Sequence, residues 1–279
     1  MLEIRQLRKS FHKRTVLKDI SFSVRRGEVL CLLGNNGAGK TTILNCILRM
    51  IKADAGQILF DGKEIGNFSQ AEYFSKVNAL LESSSNVYDY LSGRQNIQYF
   101  AGLMKMDERS EKIERYVHLL ELEKDLDKAV GEYSFGMQQK LALVIALMSS
   151  PSLLLLDEPT LGLDMQSKWT VVRLIKQLQE TENMAIILTT HQMEVIQKMD
   201  SRILLLKDGQ VCDFDKAAYA EENVYTISFM EDNMLKQLDV KGSFQEIIAA
   251  YGSRMEIVEI RKKERELEEI LMEALREAH

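Results

Sequence analysis

Three observations predict an α/β fold with a mainly parallel sheet covered on both faces. The chain alternates short, wholly apolar runs with helical patterns, as parallel sheets with crossover helices do. The runs EVLCLL, SLLLLDE and MAIILTT lack the polar–apolar alternation of a half-exposed strand, so both of their faces need cover. The 279 residues are 46% apolar and 28% charged, enough to bury a sizeable core.

The elements follow in order. LEIRQLRKSF and VLKDISFSV alternate loosely and predict half-buried strands of an N-terminal antiparallel subdomain, before the buried strand GEVLCLLG. KTTILNCILRMI predicts a helix, and GQILFDGKEI a hairpin turned at Asp61-Gly62. From about Ser69 to Lys128 the pattern is helical and polar, as in SGRQNIQYFAGLM and RSEKIERYVHLLELE, which predicts a helical insert within the core, about 69–150. MQQKLALVIALMSS, SKWTVVRLIKQLQE and QMEVIQKM predict helices around the strands SLLLLDE and MAIILTT. RILLLKDGQVCDF predicts a hairpin turned at Asp208-Gly209.

The character changes after about Lys216. NVYTISFM and RMEIVEI predict two strands, with the helix SFQEIIAAYG between them and a charged helix, KERELEEILMEALREAH, at the end. The expected organisation is a main domain over 1–215 and a small α/β accessory region over 216–279.

Charge and cysteine usage narrow the function. The net charge is −6 and no basic stripe stands out, against nucleic-acid binding. Cys31, Cys46 and Cys212 lie far apart with no metal-like spacing and read as buried thiols in a reducing compartment. MLEIRQLRKSF lacks the apolar core of a signal peptide. LALVIALMSSPSLLLL is broken by Ser149, Ser150 and Pro151, a poor membrane span. A cytoplasmic chain is expected, with any membrane role exercised through a partner.

GNNGAGKTT, Gly34 to Thr42, lies between an apolar strand and a helix and matches GxxxxGK[ST]. Gly34, Gly37 and Gly39 let the loop bend, so that N–H groups of Asn35, Asn36, Ala38 and their neighbours turn toward one anion. The helix N-terminus at Lys40, Thr41 and Thr42 adds its positive end. Lys40 is expected to reach β- and γ-phosphates, and the Thr41 hydroxyl to ligate Mg²⁺. In LLLLDE, Asp157 ends an apolar strand, where it can hold a Mg²⁺ shell. Glu158 follows and can orient or deprotonate an attacking water. The core is therefore expected to be a P-loop NTPase.

With these parts in this order, the chain resembles the nucleotide-binding subunit of an ABC transporter over nearly all of 1–215. YSFGMQQK stands where that family has its LSGGQ signature: Ser134, Gly136 and Gln138 fit, whereas Tyr133, Phe135 and Met137 depart. A hydroxyl, a bare backbone N–H and a helix dipole there suit an anion. The resemblance implies that this anion is the γ-phosphate held by the other subunit of a head-to-tail dimer; a plain N-cap at Ser134 is the alternative. LGLD (Leu161–Asp164) resembles the D-loop and His191 the switch histidine that contacts γ-phosphate. Phe11 stands where the family stacks an aromatic on adenine, with a core Phe as the alternative and His12 adjacent. The family's metal-touching Gln at the entry to the insert has Glu82 as its counterpart in VNALLESSSNVYDYLSG, a departure that adds a charge and removes an amide; a solvated loop Glu is the alternative.

The resemblance implies an ATP-hydrolysing, Mg²⁺-dependent motor at the cytoplasmic membrane face. It pairs with a second ATPase subunit, identical or related, and with separate membrane subunits. LLE…Y…LSGRQNIQYF and YSFGMQQKLAL resemble the subset that exports drugs, peptides or lantibiotics, or gives immunity to them. Tyr88, Tyr90 and Leu91 are candidates for receiving a membrane subunit's cytoplasmic helix, or else insert core. The rivals are a DNA-repair ATPase, which needs a long heptad insertion, a ribosome-acting factor, which usually carries two such domains, and a soluble ATPase or nucleotide sensor.

Overall fold

The computed structural model describes residues 1–81, 87–108, 110–214, 224–231, 234–252, 254–263, 269–271 and 273–274. The chain divides into two compact units, Met1–Asp213 and Phe214–His279.

The first unit runs β1 (Leu2–Phe11), β2 (Arg14–Val24), β3 (Val29–Leu33), α1 (Lys40–Ile47), β4 (Ala55–Phe60), β5 (Lys63–Glu64), α2 (Gln70–Phe74) and β6 (Val77–Leu80). It continues with α3 (Gly93–Met104), α4 (Glu111–Leu119), α5 (Phe135–Met148), β7 (Leu153–Asp157), α6 (Met165–Glu182), β8 (Ala185–Thr189), α7 (Met193–Lys198), β9 (Arg202–Lys207) and β10, which ends at Phe214 after starting at Gln210. An antiparallel sheet has the order β2-β1-β4-β5, and a six-stranded sheet the order β10-β9-β3-β8-β7-β6. In the latter β9, β3, β8, β7 and β6 are parallel, and β10 returns along β9 through Asp208-Gly209.

The apolar runs serve two cores at once. Alternate residues of β7 and β8 enter opposite clusters: Leu153, Leu155, Ala185 and Ile187 on one side, Leu154, Leu156, Ile186 and Leu188 on the other. The first cluster takes in α1 and the antiparallel sheet, the second α5, α6 and the insert helices. Each Leu or Ile so covered contributes about 1.5–3 kcal/mol, which is why these strands show no period-two polarity.

Three sequence expectations need correction. Cys212, read as a buried thiol, is exposed on β10, whereas Cys31 and Cys46 are buried. The helix foreseen to run from Lys40 to Ile51 ends at Ile47, because Arg49 takes φ +59° and the N–H groups of Met50 and Ile51 both turn back to the Asn45 carbonyl. The span 69–128, read as helical, contains β6, the edge strand of the parallel sheet.

The second unit is a three-stranded antiparallel sheet, β12-β11-β13, formed by β11 (Val224–Glu231), β12 (Met234–Lys241) and β13 (Glu256–Lys262), with α8 (Phe244–Tyr251) before the last strand. Ile227, Phe229 and Ile247 form its small core. Strand β12 was not foreseen: all but one of its side chains are exposed, so no apolar alternation marks it. Of the foreseen terminal helix, residues 269–271 and 273–274 are helical and the rest lies outside the described residues.

Tyr73 of α2 closes the space between the antiparallel sheet and α1. Its ring meets Phe60 and Phe68 with centroids 5.9 and 5.8 Å away, and its hydroxyl donates to the Ile47 carbonyl at 2.7 Å. Burial pushes that hydroxyl's pKa well above the ordinary tyrosine value. Tyr73→Ala is expected to cost about 3–5 kcal/mol through the cavity it leaves. Tyr73→Phe removes only the hydrogen bond and should cost about 1 kcal/mol. Urea unfolding checks both; equal losses would show that the ring's packing is not what matters.

Candidate functional site

Three neighbouring parallel strands deliver the site. β8 lies between β3 and β7, with Leu32 opposite Thr189 and Thr189 opposite Asp157, so the C-terminal ends of all three converge. Ligands of open α/β sheets bind beyond such ends.

Beyond β3 the chain must turn at once into α1. Gly34 passes the Leu206 carbonyl so closely that a Cβ would stand 2.3 Å from its oxygen. Gly39, the residue before α1, has φ +115°, and a Cβ there would meet Leu17 at 2.8 Å. A side chain is thus excluded at both ends of the loop. Lys40 is buried, and its Nζ donates to the carbonyls of Gly34 at 2.7 Å and Asn35 at 3.4 Å. No ion-pair partner for this ammonium occurs among the described residues.

The carboxylates are ordered by Thr189, which sequence reasoning missed. Its hydroxyl donates to Asp157 Oδ1 at 2.5 Å, while Asp157 Oδ2 accepts from the Thr41 hydroxyl at 2.9 Å. The Glu158 N–H reaches both the carbonyl and the hydroxyl of Thr189, each at 3.1 Å. These bonds hold Glu158 in the left-handed region at φ +50°, which costs a non-glycine residue about 1–2 kcal/mol. Glu158 Oε1 is 2.8 Å from Nδ1 of His191, whose side chain is 54% exposed against 7% for the glutamate. Glu158 Oε2 is buried without a hydrogen-bond partner. Behind them, burial pushes the Cys31 thiol up to about 12, Glu158's charge adding to the effect and Lys40 opposing it, so Cys31 stays a protonated core residue.

A cleft of about 460 Å³ opens over these groups. Of the candidate residues, Phe11, Asn36, Gly37, Gly39, Lys40, Thr41, Thr42, Asp157, Glu158 and His191 line it, as does Leu161 of the LGLD stretch. Arg14 and Val16 complete the wall and were not foreseen. Phe11 is 41% exposed, a wall residue and not core, and Lys9 lies over its ring at 5.3 Å. Asn35 and Ala38 line a neighbouring cleft instead, and Gly34 lies beneath the loop. His12 occupies the hairpin turn at φ +54° and does not line the cleft. Glu82 lies outside the described residues.

Ser134, Gly136 and Gln138 are not brought to this cleft. The Ser134 hydroxyl caps α5 by accepting from the Met137 N–H at 3.2 Å, and Gln138 donates to the Val130 carbonyl at 3.2 Å. A Cβ on Gly136 would stand 3.0 Å from the Ser167 hydroxyl and 3.5 Å from Asp164. Asp164 caps α6, and the bonds it accepts from Ser167 hold its carboxyl below the ordinary aspartate range.

The cleft suits a polyphosphate with a divalent cation. A buried ammonium satisfied only by carbonyls wants an anion, and a hydroxyl–carboxylate pair supplies the hard oxygens that Mg²⁺ prefers. The orphaned Glu158 Oε2 wants a donor, which a water meets.

Residues 17–161 match the family model described as ABC transporter. The phosphonates import ATP-binding protein PhnC of Treponema denticola is 32% identical over 225 residues, covering 76% of this chain and 88% of PhnC. The linearmycin resistance ATP-binding protein LnrL of Bacillus subtilis is 33% identical over 215 residues, covering 76% of this chain and 68% of LnrL. The dimeric structure of a post-hydrolysis state of the ATP-binding cassette MJ0796, bound to ADP and Pi, has the same fold at TM-score 0.68 and 23% identity, covering 77% of this chain and 98% of that one. From the phosphate loop, the paired carboxylates and these matches together, the chain belongs to the ABC transporter ATP-binding family.

Proposed function

We propose that this chain binds and hydrolyses ATP within a head-to-tail dimer and so drives separate membrane subunits that export a drug-like or peptide compound. The observation that carries the dimer is the separation of two anion-binding features. The cleft around Lys40 and the turn at Ser134–Gly136 do not meet within one chain. A second ATPase subunit bringing its own turn to this cleft completes the site, and the dimeric cassette with the same fold supports that arrangement.

In this reading Phe11 stacks on the base and the loop Gly34–Thr42 holds the phosphates, with Lys40 on the terminal pair. Thr41 and Asp157 would hold Mg²⁺, which would supply neutralisation of phosphate charge. Glu158 Oε2 accepts a hydrogen bond from the attacking water and takes its proton. His191, bonded through Nδ1 to the other Glu158 oxygen, keeps that carboxylate aimed and leaves its second ring nitrogen for a phosphate oxygen.

On the insert, the buried Asn96 side chain bonds the backbone of Tyr88 in both directions, at 2.7 and 3.0 Å. This fixes a cluster in which Tyr88 packs on Tyr99 and Phe100 while Tyr90 is 77% exposed. It fits the proposed contact with a membrane subunit. No helix among the described residues is long and apolar enough to cross a membrane. In this reading the membrane subunit is a separate polypeptide. The printed names of relatives include both an import and a resistance protein. Export is favoured only by the resemblance of YSFGMQQKLAL and LLE…Y…LSGRQNIQYF to the exporting subset of the family.

Glu158→Gln is expected to lower ATP turnover by roughly 10²–10⁴ while leaving ATP binding intact. Capturing that variant with ATP from mildly solubilised membranes should bring down a polytopic membrane protein in fixed ratio. Ribosomes, DNA or only soluble proteins at comparable yield would sink the transport reading, and normal turnover would remove Glu158 as base. Thr189→Val should lower kcat at least tenfold, since it removes one of the two bonds on the Asp157 carboxylate and one of the two on the Glu158 N–H, whereas Thr189→Ser keeps the hydroxyl and most of the rate. Equal rates for the two would show that the hydroxyl does not position the carboxylates.

A further inference from the structure

Arg14 opens β2 directly across from Phe11, the pair closing the two-residue turn His12–Lys13. Cross-strand neighbours of this kind have side chains within reach of a common ligand. The two residues also line the same cleft, together with Asn36, Gly37 and Lys40. Arg14 further lines the adjacent cleft behind the loop, with Asn35 and Ala38, so it stands between the aromatic wall and the phosphate loop. The other cation near the ring is already engaged: Lys9 pairs with Asp54 at 2.9 Å. The Arg14 guanidinium makes no hydrogen bond or ion pair with any described residue. Arginine presents a planar fork of donors suited to two phosphate oxygens, and the carboxylates of Asp157 and Glu158 that line the same cleft make no ion pair with it.

We propose that Arg14 is a nucleotide-binding residue that holds the α-phosphate, the group joining the base end of the ligand at Phe11 to the terminal phosphates at Lys40. This rests on the nucleotide reading of the cleft. It separates three jobs along one wall: an aromatic face for the base, a guanidinium for the first phosphate, an ammonium for the last two. An α-phosphate undergoes no bonding change during hydrolysis, so its contact strengthens ground state and transition state alike and is felt in affinity.

The test compares Arg14→Ala, Arg14→Lys and Lys40→Ala in ATP, ADP and GTP binding and in ATP turnover. Arg14→Ala is expected to weaken all three nucleotides by one common factor, about tenfold, with the loss falling on KM and not on kcat. Arg14→Lys should recover part of it, as a point charge without the fork. Unchanged affinities in Arg14→Ala overturn the proposal. A loss confined to ATP and GTP overturns it by moving the contact to the γ-phosphate, and a changed ATP-to-GTP ratio overturns it by moving the contact to the base. Lys40→Ala separates this from the wider reading. If that change also leaves ATP affinity untouched, the cleft is not a nucleotide site. If it abolishes binding while Arg14→Ala does nothing, only the role of Arg14 is lost.

Discussion

The site depends on one hydroxyl at the end of a central strand. Thr189 sits between β3 and β7, and from there its side chain fixes Asp157 while its carbonyl and hydroxyl together hold the Glu158 N–H. Two adjacent carboxylates on one strand would otherwise repel and point to opposite faces of the sheet. The turn to φ +50° at Glu158 breaks that alternation and lets both acids serve one cleft. Asp157 stays with Thr41, and Glu158 goes to His191. A pair of acids thus has two different jobs because one backbone N–H is held twice.

That hydroxyl is in place only because the sheet is rigid beneath it. The parallel strands fill both of their neighbouring cores, so a sideways shift of β8 would disturb packing on two faces. The same covering keeps the Cys31 thiol neutral behind the site. Polar groups are concentrated where the strands end, and most of them there are hydrogen-bonded. Burial is therefore what gives the cleft its chemistry: Lys40 has carbonyls alone for partners, and Glu158 keeps one oxygen without any. In water neither deficit would matter; in a half-closed cleft both become a demand for ligand.

Much of this was legible in the residues themselves. A phosphate loop is local: glycines, lysine and threonine act within nine consecutive positions, so GNNGAGKTT can be read without a fold. Asp157, Glu158 and His191 were legible because each ends or follows an apolar run. Thr189 was not, since its importance comes from strand order, and a threonine at a strand end carries no mark of its neighbours. Asn96 escaped for a similar reason, lying inside a helix pattern while its amide serves the loop before it. Arg14 looked like one more charge in FHKRT until the hairpin register set it across from Phe11. Strand β12 had no apolar face to betray it, and β6 is only four residues long within a polar, helical stretch.

The departures in the signature stretch acquire a physical meaning from their packing. Where the family pattern has a small residue, Phe135 places its ring against Gly162, whose φ is +73° and whose absent Cβ would stand 3.2 Å from the ring. Gly136 meets Ser167 and Asp164 beside it. The turn that opens α5 and the loop Leu161–Asp164 are therefore packed as one piece. The start of that loop is tied in turn to the residue after His191, through Thr160 donating to Gln192 at 2.8 Å. Contacts thus run without a gap from the histidine beside Glu158 to the turn at Ser134. Such contiguity transmits force only if some element in it has two arrangements. The loop at Gly162 is where one would be built, because its glycine alone can leave the left-handed region at little cost once the ring moves away.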